Sequence, residues 1–214
     1  NCGNMSAALT MYALDTGIIQ PSVGTTVMRI FNTNTRVTTD AAVNTPDGTP
    51  FIPADTEIPG VMGKFPGVEL SLRNPVGAKT GQLLPTGHAL DHFGDVDVSC
   101  VDAAVPMVIV SAAALGKTGH ESVEELARDH ALRERLTVIW VEAGLKMALR
   151  KKNGEAMTAD ELAQSGTIPK ICMVAPPTGN GRTMVRYFRH DATTHSHSLK
   201  GGLAPAGRSL PPSP

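Results

Sequence analysis

The chain has 214 residues, and its 19 Lys and Arg against 20 Asp and Glu leave no charge excess of the kind that binds nucleic acid or an anionic membrane surface. Hydrophobic residues make up 41% and charged residues 18%, a globular composition that excludes a disordered chain. The most apolar stretch, Ala103 to Leu115, contains a proline and a serine and falls short of the roughly 20 residues a membrane-spanning helix needs.

Length fits one large domain or two small ones, and 21 glycines with 16 prolines imply many turns between short elements. Cys2, Cys100 and Cys172 are too few and too widely spaced for a disulfide framework or a paired zinc motif, so a reducing, cytoplasmic compartment is expected. The opening residues do not read as a secretory signal. The chain starts at Asn1 and not at methionine, which reads as processing or as a piece of something longer.

Ser6 to Thr16 reads as a helix that is apolar around most of its circumference, with Gly17 placed to cap it; such a helix is expected to be buried. Thr25 to Asn32 alternates and is rich in Thr, Val and Ile, as a strand should be, and a second strand is expected near Val37 to Val43. Asn44 to Pro75 is punctuated by Asp47-Gly48, Pro59-Gly60 and Pro66-Gly67 and reads as loops and hairpins around one short strand, Val68 to Leu72. Beyond a boundary near Ala78, strands are expected at Gln82 to Leu84, Asp95 to Val101 and Val105 to Ala112, the last almost wholly apolar and therefore central. Ser122 and Glu125 have the spacing of a capping box, and Leu126, Leu132, Leu136, Ile139 and Met147 continue at near-helical spacing to Gly154, one or two helices in all. Ile171 to Ala175 and Met184 to Phe188 read as further strands, while Lys200 to Pro214 has no periodicity and reads as disordered.

Asn1-Cys2-Gly3-Asn4 is the most informative stretch. A thiol just ahead of a helix feels the positive end of the dipole, which favours ionisation. The N–H groups of Gly3, Asn4 and Met5 form an anion site there, and glycine lets a ligand approach the backbone closely. The plain alternative is a small buried cysteine before a helix. His190, His195 and His197 lack a supporting carboxylate or cysteine motif and read as a solvated tail, so no metal site is expected. Gly179 to Thr183 lacks the lysine of a phosphate loop and reads as a hairpin turn, and Lys79-Thr80-Gly81 lacks the preceding Ser-x-x-Lys of the serine penicillin-recognising enzymes. Cys100, Cys172 and Trp140 read as core.

Asn1-Cys2-Gly3-Asn4-Met5-Ser6-Ala7-Ala8 resembles the cysteine motif of the PrpF family. Arg29 to Thr35, Leu84-Pro85-Thr86-Gly87, Cys100 to Val108 and Thr118-Gly119 resemble the same family in order and spacing, from Asn1 to about His195. The resemblance implies a diaminopimelate epimerase-like α/β (α+β) fold of two similar lobes, each a mixed sheet wrapped around a central helix: 1–78 in the first lobe, 79–199 in the second, and 200–214 as a tail. It implies a cofactor-independent isomerase or tautomerase that shifts a proton in an unsaturated di- or tricarboxylate such as 4-oxalomesaconate, in aromatic-acid degradation. Cys2 would be the acid/base, and Asn1, Gly3, Asn4, Met5, Thr194 and His195 would contact the small carboxylate substrate. A homo-oligomer is compatible with it.

Two departures from the family pattern are expected to matter. In the oxalomesaconate enzymes the resemblance implies a lysine partner for the cysteine some thirty residues upstream, a position that would fall before Asn1, and Thr193-Thr194-His195 is followed by a Gly- and Pro-rich stretch where a helix start should be. The 214-residue chain alone is therefore expected to be marginally folded and inactive. An inactive remnant, a binding fragment and a cysteine-nucleophile hydrolase stay open as alternatives.

Overall fold

The computed structural model describes residues 2–50, 52–57, 62–177 and 184–188. The chain divides into two compact units, Asn1–Asn74 and Pro75–Pro214, built on separate sheets. The expected turn at 179–183 and the tail from residue 200 lie outside the described residues.

In the first unit, helix α1 spans Gly3–Asp15. It ends where Thr16 N–H donates to Tyr12 O at 3.0 Å and Gly17, at φ +72°, turns the chain away. Strands β1 (Gly24–Asn32) and β2 (Val37–Thr45) form an antiparallel hairpin, with Gly24 opposite Thr45 and Asn32 opposite Val37. A two-residue ribbon of β3 (Thr56–Glu57) and β4 (Lys64–Phe65) follows, and β5 (Val68–Leu72) then pairs antiparallel with the free side of β2. Alternation along β2 buries Thr39, Ala41, Val43 and Thr45 on one face. On the other face Asp40 receives Arg29 of β1 and Arg73, each at 2.7 Å, and these bonds hold its carboxyl down at about 2.

Helix α1 packs against β2 and β5 and buries Thr10, Ala13 and Leu14. The expectation of a helix buried on most sides is corrected here. Met5, Leu9 and Tyr12 are 69%, 48% and 59% exposed, a stripe at helical spacing on one side of α1. The cause is geometric: a three-stranded sheet lies against one side of a helix about 10 Å across and leaves the other side open.

The second unit holds a five-stranded sheet in the order β10-β9-β8-β7-β6. Strands β6 (Asp91–Phe93), β7 (Val96–Ala103) and β8 (Val105–Ser111) run as an antiparallel meander. Helices α2 (Val123–Arg128), α3 (His130–Lys146) and α4 (Ala159–Gln164) then carry the chain over to β9 (Lys170–Ala175), which pairs parallel with β8. Strand β10 (Met184–Phe188) closes the order antiparallel to β9. A parallel pair needs a long crossover, and the three helices supply it.

Val98, Cys100, Val108, Val110, Ile171 and Met173 form the main core with Leu126, Leu136, Ile139, Trp140 and Leu162. Val101, Met107, Ile109 and Cys172 form a second cluster, against which Leu84 packs. Burial on both faces is why β8 is a continuous apolar run. The long helical stretch breaks in two at Asp129, whose Oδ1 accepts from Leu132 N at 2.8 Å while Oδ2 pairs with Lys117. Gln82 to Leu84, expected as a strand, is an irregular bend between turns. No helix among the described residues is long and apolar enough to cross a membrane.

Candidate active site

Cys2 is the N-cap of α1, with φ −121° and ψ 114°, and its thiol makes no capping bond. Its carbonyl oxygen accepts from Ser6 N at 3.1 Å and Ser6 Oγ at 3.2 Å, so the backbone is held while the side chain is left in solvent. The alternative of a buried structural cysteine does not hold. Gly3, Asn4 and Met5 form the first turn and are all exposed. The first N–H groups of a helix have no intrahelical partner, and this turn contains no acidic residue to offset the positive end of the dipole. A Cβ added at Gly3 would meet Leu70 Cδ1 at 3.5 Å, an ordinary contact, so packing alone does not require glycine there. Cys2, Gly3, Asn4 and Met5 thus share one exposed turn. Asn1, Thr194 and His195 lie outside the described residues.

Cys100 and Cys172 are buried, and burial pushes each thiol up to about 12, which leaves both as inert core sulfurs near neutral pH. Cys172 donates to the Met107 sulfur at 3.5 Å.

Two carboxylates of the second unit escaped the sequence reading. Asp102 is wholly buried, and its Oδ2 accepts from Lys79 N and Thr80 N at 2.8 Å and from Thr80 Oγ1 at 2.9 Å. Its Oδ1 has no partner among the described residues. Asp102 shares the inward side of β7 with Val96, Val98 and Cys100, and that alternation was the available signal. Glu121 takes Thr118 N at 2.6 Å and Thr118 Oγ1 at 2.9 Å on one oxygen and Gly119 N at 2.9 Å on the other. Partial burial works to raise its pKa, but the bonds from Thr118 and Gly119 outweigh that and hold it at about 2. A folded value below the ordinary 4.5 means the carboxylate stabilises the fold above pH 4.5, and that contribution is lost as pH falls through about 2. Glu121→Gln is therefore expected to lower stability near neutral pH, with the gap to the unmodified chain closing between pH 4.5 and about 2 in urea unfolding. A gap of constant size across that range would contradict the linkage.

These units define a mixed α/β protein with a solvent-facing thiol at the start of its first helix. The PrpF family, described as PrpF protein, matches residues 1–192, and the chain belongs to it. YbhH of Escherichia coli (strain K12) is 36% identical over 204 residues, covering 95% of this chain and 55% of YbhH. The 4-oxalomesaconate tautomerase of Pseudomonas putida (strain KT2440) is 35% identical over 188 residues, covering 88% of this chain and 49% of that protein. The crystal structure of methylitaconate-delta-isomerase superposes with a TM-score of 0.76 at 28% identity, covering 93% of this chain and 55% of that one. The chain thus spans about half the length of the curated relatives it matches. The diaminopimelate epimerase-like α/β fold class expected from the sequence is the one this likeness supports.

Proposed function

We propose that the chain carries the cysteine part of an isomerase site that moves a proton within an unsaturated di- or tricarboxylate, with the Cys2 thiol as acid/base. The observation that carries this reading is the exposed, unbonded thiol of Cys2 beside the uncompensated N–H groups of the first turn of α1. Those N–H groups suit a substrate carboxylate, and Gly3 sets no side chain of its own beside them. Relatives in the family are named for 4-oxalomesaconate, 2-methyl-aconitate and 3-methylitaconate. Among these we favour 4-oxalomesaconate, because the relative named for it is 35% identical against 30% and 32% for those named for the other two acids; the reaction would then belong to aromatic-acid degradation.

The chemistry balances without a redox partner. A base takes a proton from the carbon next to the double bond, the C–H electron pair becomes a new double bond, and the old π pair accepts a proton at the far carbon. A thiol can serve in either proton step. The test has two readouts, iodoacetamide alkylation of Cys2 and deuterium uptake from solvent, each with the three acids named above. Protection of Cys2 by one acid, together with deuterium entering that acid, is the expected result. Alkylation at an unchanged rate with every acid, and no deuterium in any of them, would sink the proposal.

A further inference from the structure

The outer face of the first unit's sheet is the one turned away from α1, and strand alternation sets its side chains in a three-by-three array. Val27, Ala42 and Glu69 are cross-strand neighbours in the first row, and Arg29, Asp40 and Ser71 in the second. Phe31 and Thr38 make the third row with Arg73, whose N–H donates to Thr38 O at 2.9 Å. Val27 and Phe31 are 56% and 55% exposed, and Glu69, Ser71 and Arg73 also face solvent. Asp40 takes both arginines, which leaves one positive charge over. Glu69 has no ion pair among the described residues. The face thus holds two basic and two acidic groups, balanced in total, with Glu69 and Arg73 four residues apart along β5 and its extension.

We propose that this outer face is a two-fold interface between two copies of the chain. A two-fold axis along the Arg29-Asp40-Ser71 row turns the first row of one copy onto the third row of the other. Glu69 then faces Arg73 of the second copy, Val27 faces Phe31, and Ala42 faces Thr38, each twice over. Sheets packed face to face lie about 10 Å apart with their strands within about 30° of each other. A rotation of that size moves the corners of the array by about 4 Å, a distance the long side chains of Glu69 and Arg73 can span. An axis along β2 would instead set Glu69 on Val27 and strand its carboxylate, so the charges choose between the two arrangements. An unrelated partner would have to bring an acid, a base and two apolar groups in this spacing, which the chain already carries. The array measures about 10 by 14 Å between its corner Cα atoms, well below the roughly 800 Å² that each partner buries in a stable complex. The dimer is therefore a weak, reversible one. Nothing in this inference rests on the chemistry proposed for Cys2.

Sedimentation equilibrium of the full 214-residue chain, from about 10 to about 500 μM, is expected to show reversible dimers. Glu69→Arg and Arg73→Glu each create two like-charge contacts, and each is expected to weaken association about tenfold or more. Mixed in equal amounts, the two variants are expected to pair with one another, because each then supplies the charge the other lacks. Val138→Arg, on the exposed side of α3 in the second unit, should leave the dimer intact. Should Arg73→Glu fail to fold, Ser71→Cys in a Cys2→Ala background decides. The axis sets Ser71 opposite its own copy, so a short bismaleimide is expected to join two chains there, and Val138→Cys in the same background to give no such product. A chain that stays monomeric over the whole range would overturn the proposal. So would dimers indifferent to both charge reversals, variants that dissociate alone and do not pair when mixed, or a Ser71→Cys chain that is not joined.

Discussion

Cys2→Ala is expected to lower proton exchange into the unsaturated acid by about two to four orders of magnitude, the span that a positioned acid/base group contributes. The measurement is solvent deuterium uptake into the acid that protects Cys2 from alkylation. The effect is assigned to chemistry because the thiol caps nothing and is exposed, so its removal takes nothing from the fold. Stability should accordingly stay within about 0.5 kcal/mol, as for other surface substitutions. Cys100→Ala provides the contrast: it empties a wholly buried position in the main core and should cost stability without touching the proton step directly. Near-full exchange in Cys2→Ala would remove the thiol from the mechanism.

Asp102→Ala is expected to cost about 2–4 kcal/mol in chemical unfolding, because it removes a buried acceptor from the part-buried N–H groups of Lys79 and Thr80 and from the Thr80 hydroxyl and so loosens the loop they hold. That residue also binds the loop through its backbone: Gly77 N–H donates to Asp102 O at 2.8 Å, and Asp102 N–H donates to Leu83 O at 2.9 Å. Asp102→Asn should be milder, about 1–2 kcal/mol, since its carbonyl oxygen can still take the three donors while its amide points to where Oδ1 has no partner. Gly77→Ala should damage the same loop by another route. Gly77 sits at φ +66°, and a Cβ there would lie 2.4 Å from the Gly81 carbonyl carbon. A loss below about 0.5 kcal/mol in Asp102→Ala would show that the loop does not depend on this carboxylate.

The elements legible in the sequence are those whose pattern is local. Strands β1 and β2 alternate, β8 and β9 are apolar runs, and α2 carries its capping box at Ser122 and Glu125. Helix α4 has the same signature in Thr158 and Glu161 but lasts only six residues, too short for periodicity to register. Strand β6 has three residues and pairs only because β7 runs beside it. Gln82 to Leu84 looks extended in sequence, yet its backbone is claimed by Asp102, some twenty residues away. The same distance hid Asp102 as a loop anchor. The open side of α1 could not be read from composition either, because helical spacing states which residues are apolar and not how many layers are present to cover them. The Cys2 turn was legible since its chemistry lies within five consecutive residues.

The parallel pairing of β8 with β9 sets an order of events in folding. Met107 lies opposite Lys170 and Ser111 opposite Val174, neighbours in the sheet that are about sixty residues apart along the chain, whereas β7 and β8 are joined through a single residue, Ala104. The nearest β7–β8 partners, Ala103 and Val105, are two residues apart, so the β8–β9 separation is about thirty times longer, five doublings or about 3 kcal/mol of additional closure entropy. The β7–β8 hairpin can therefore form early and alone, while the centre of the sheet closes only after α2, α3 and α4 have shortened the path to β9. Until then β8, the most apolar strand of the chain, stands with one edge bare, and the speed of helix formation between the two strands governs how long it stays exposed to other chains.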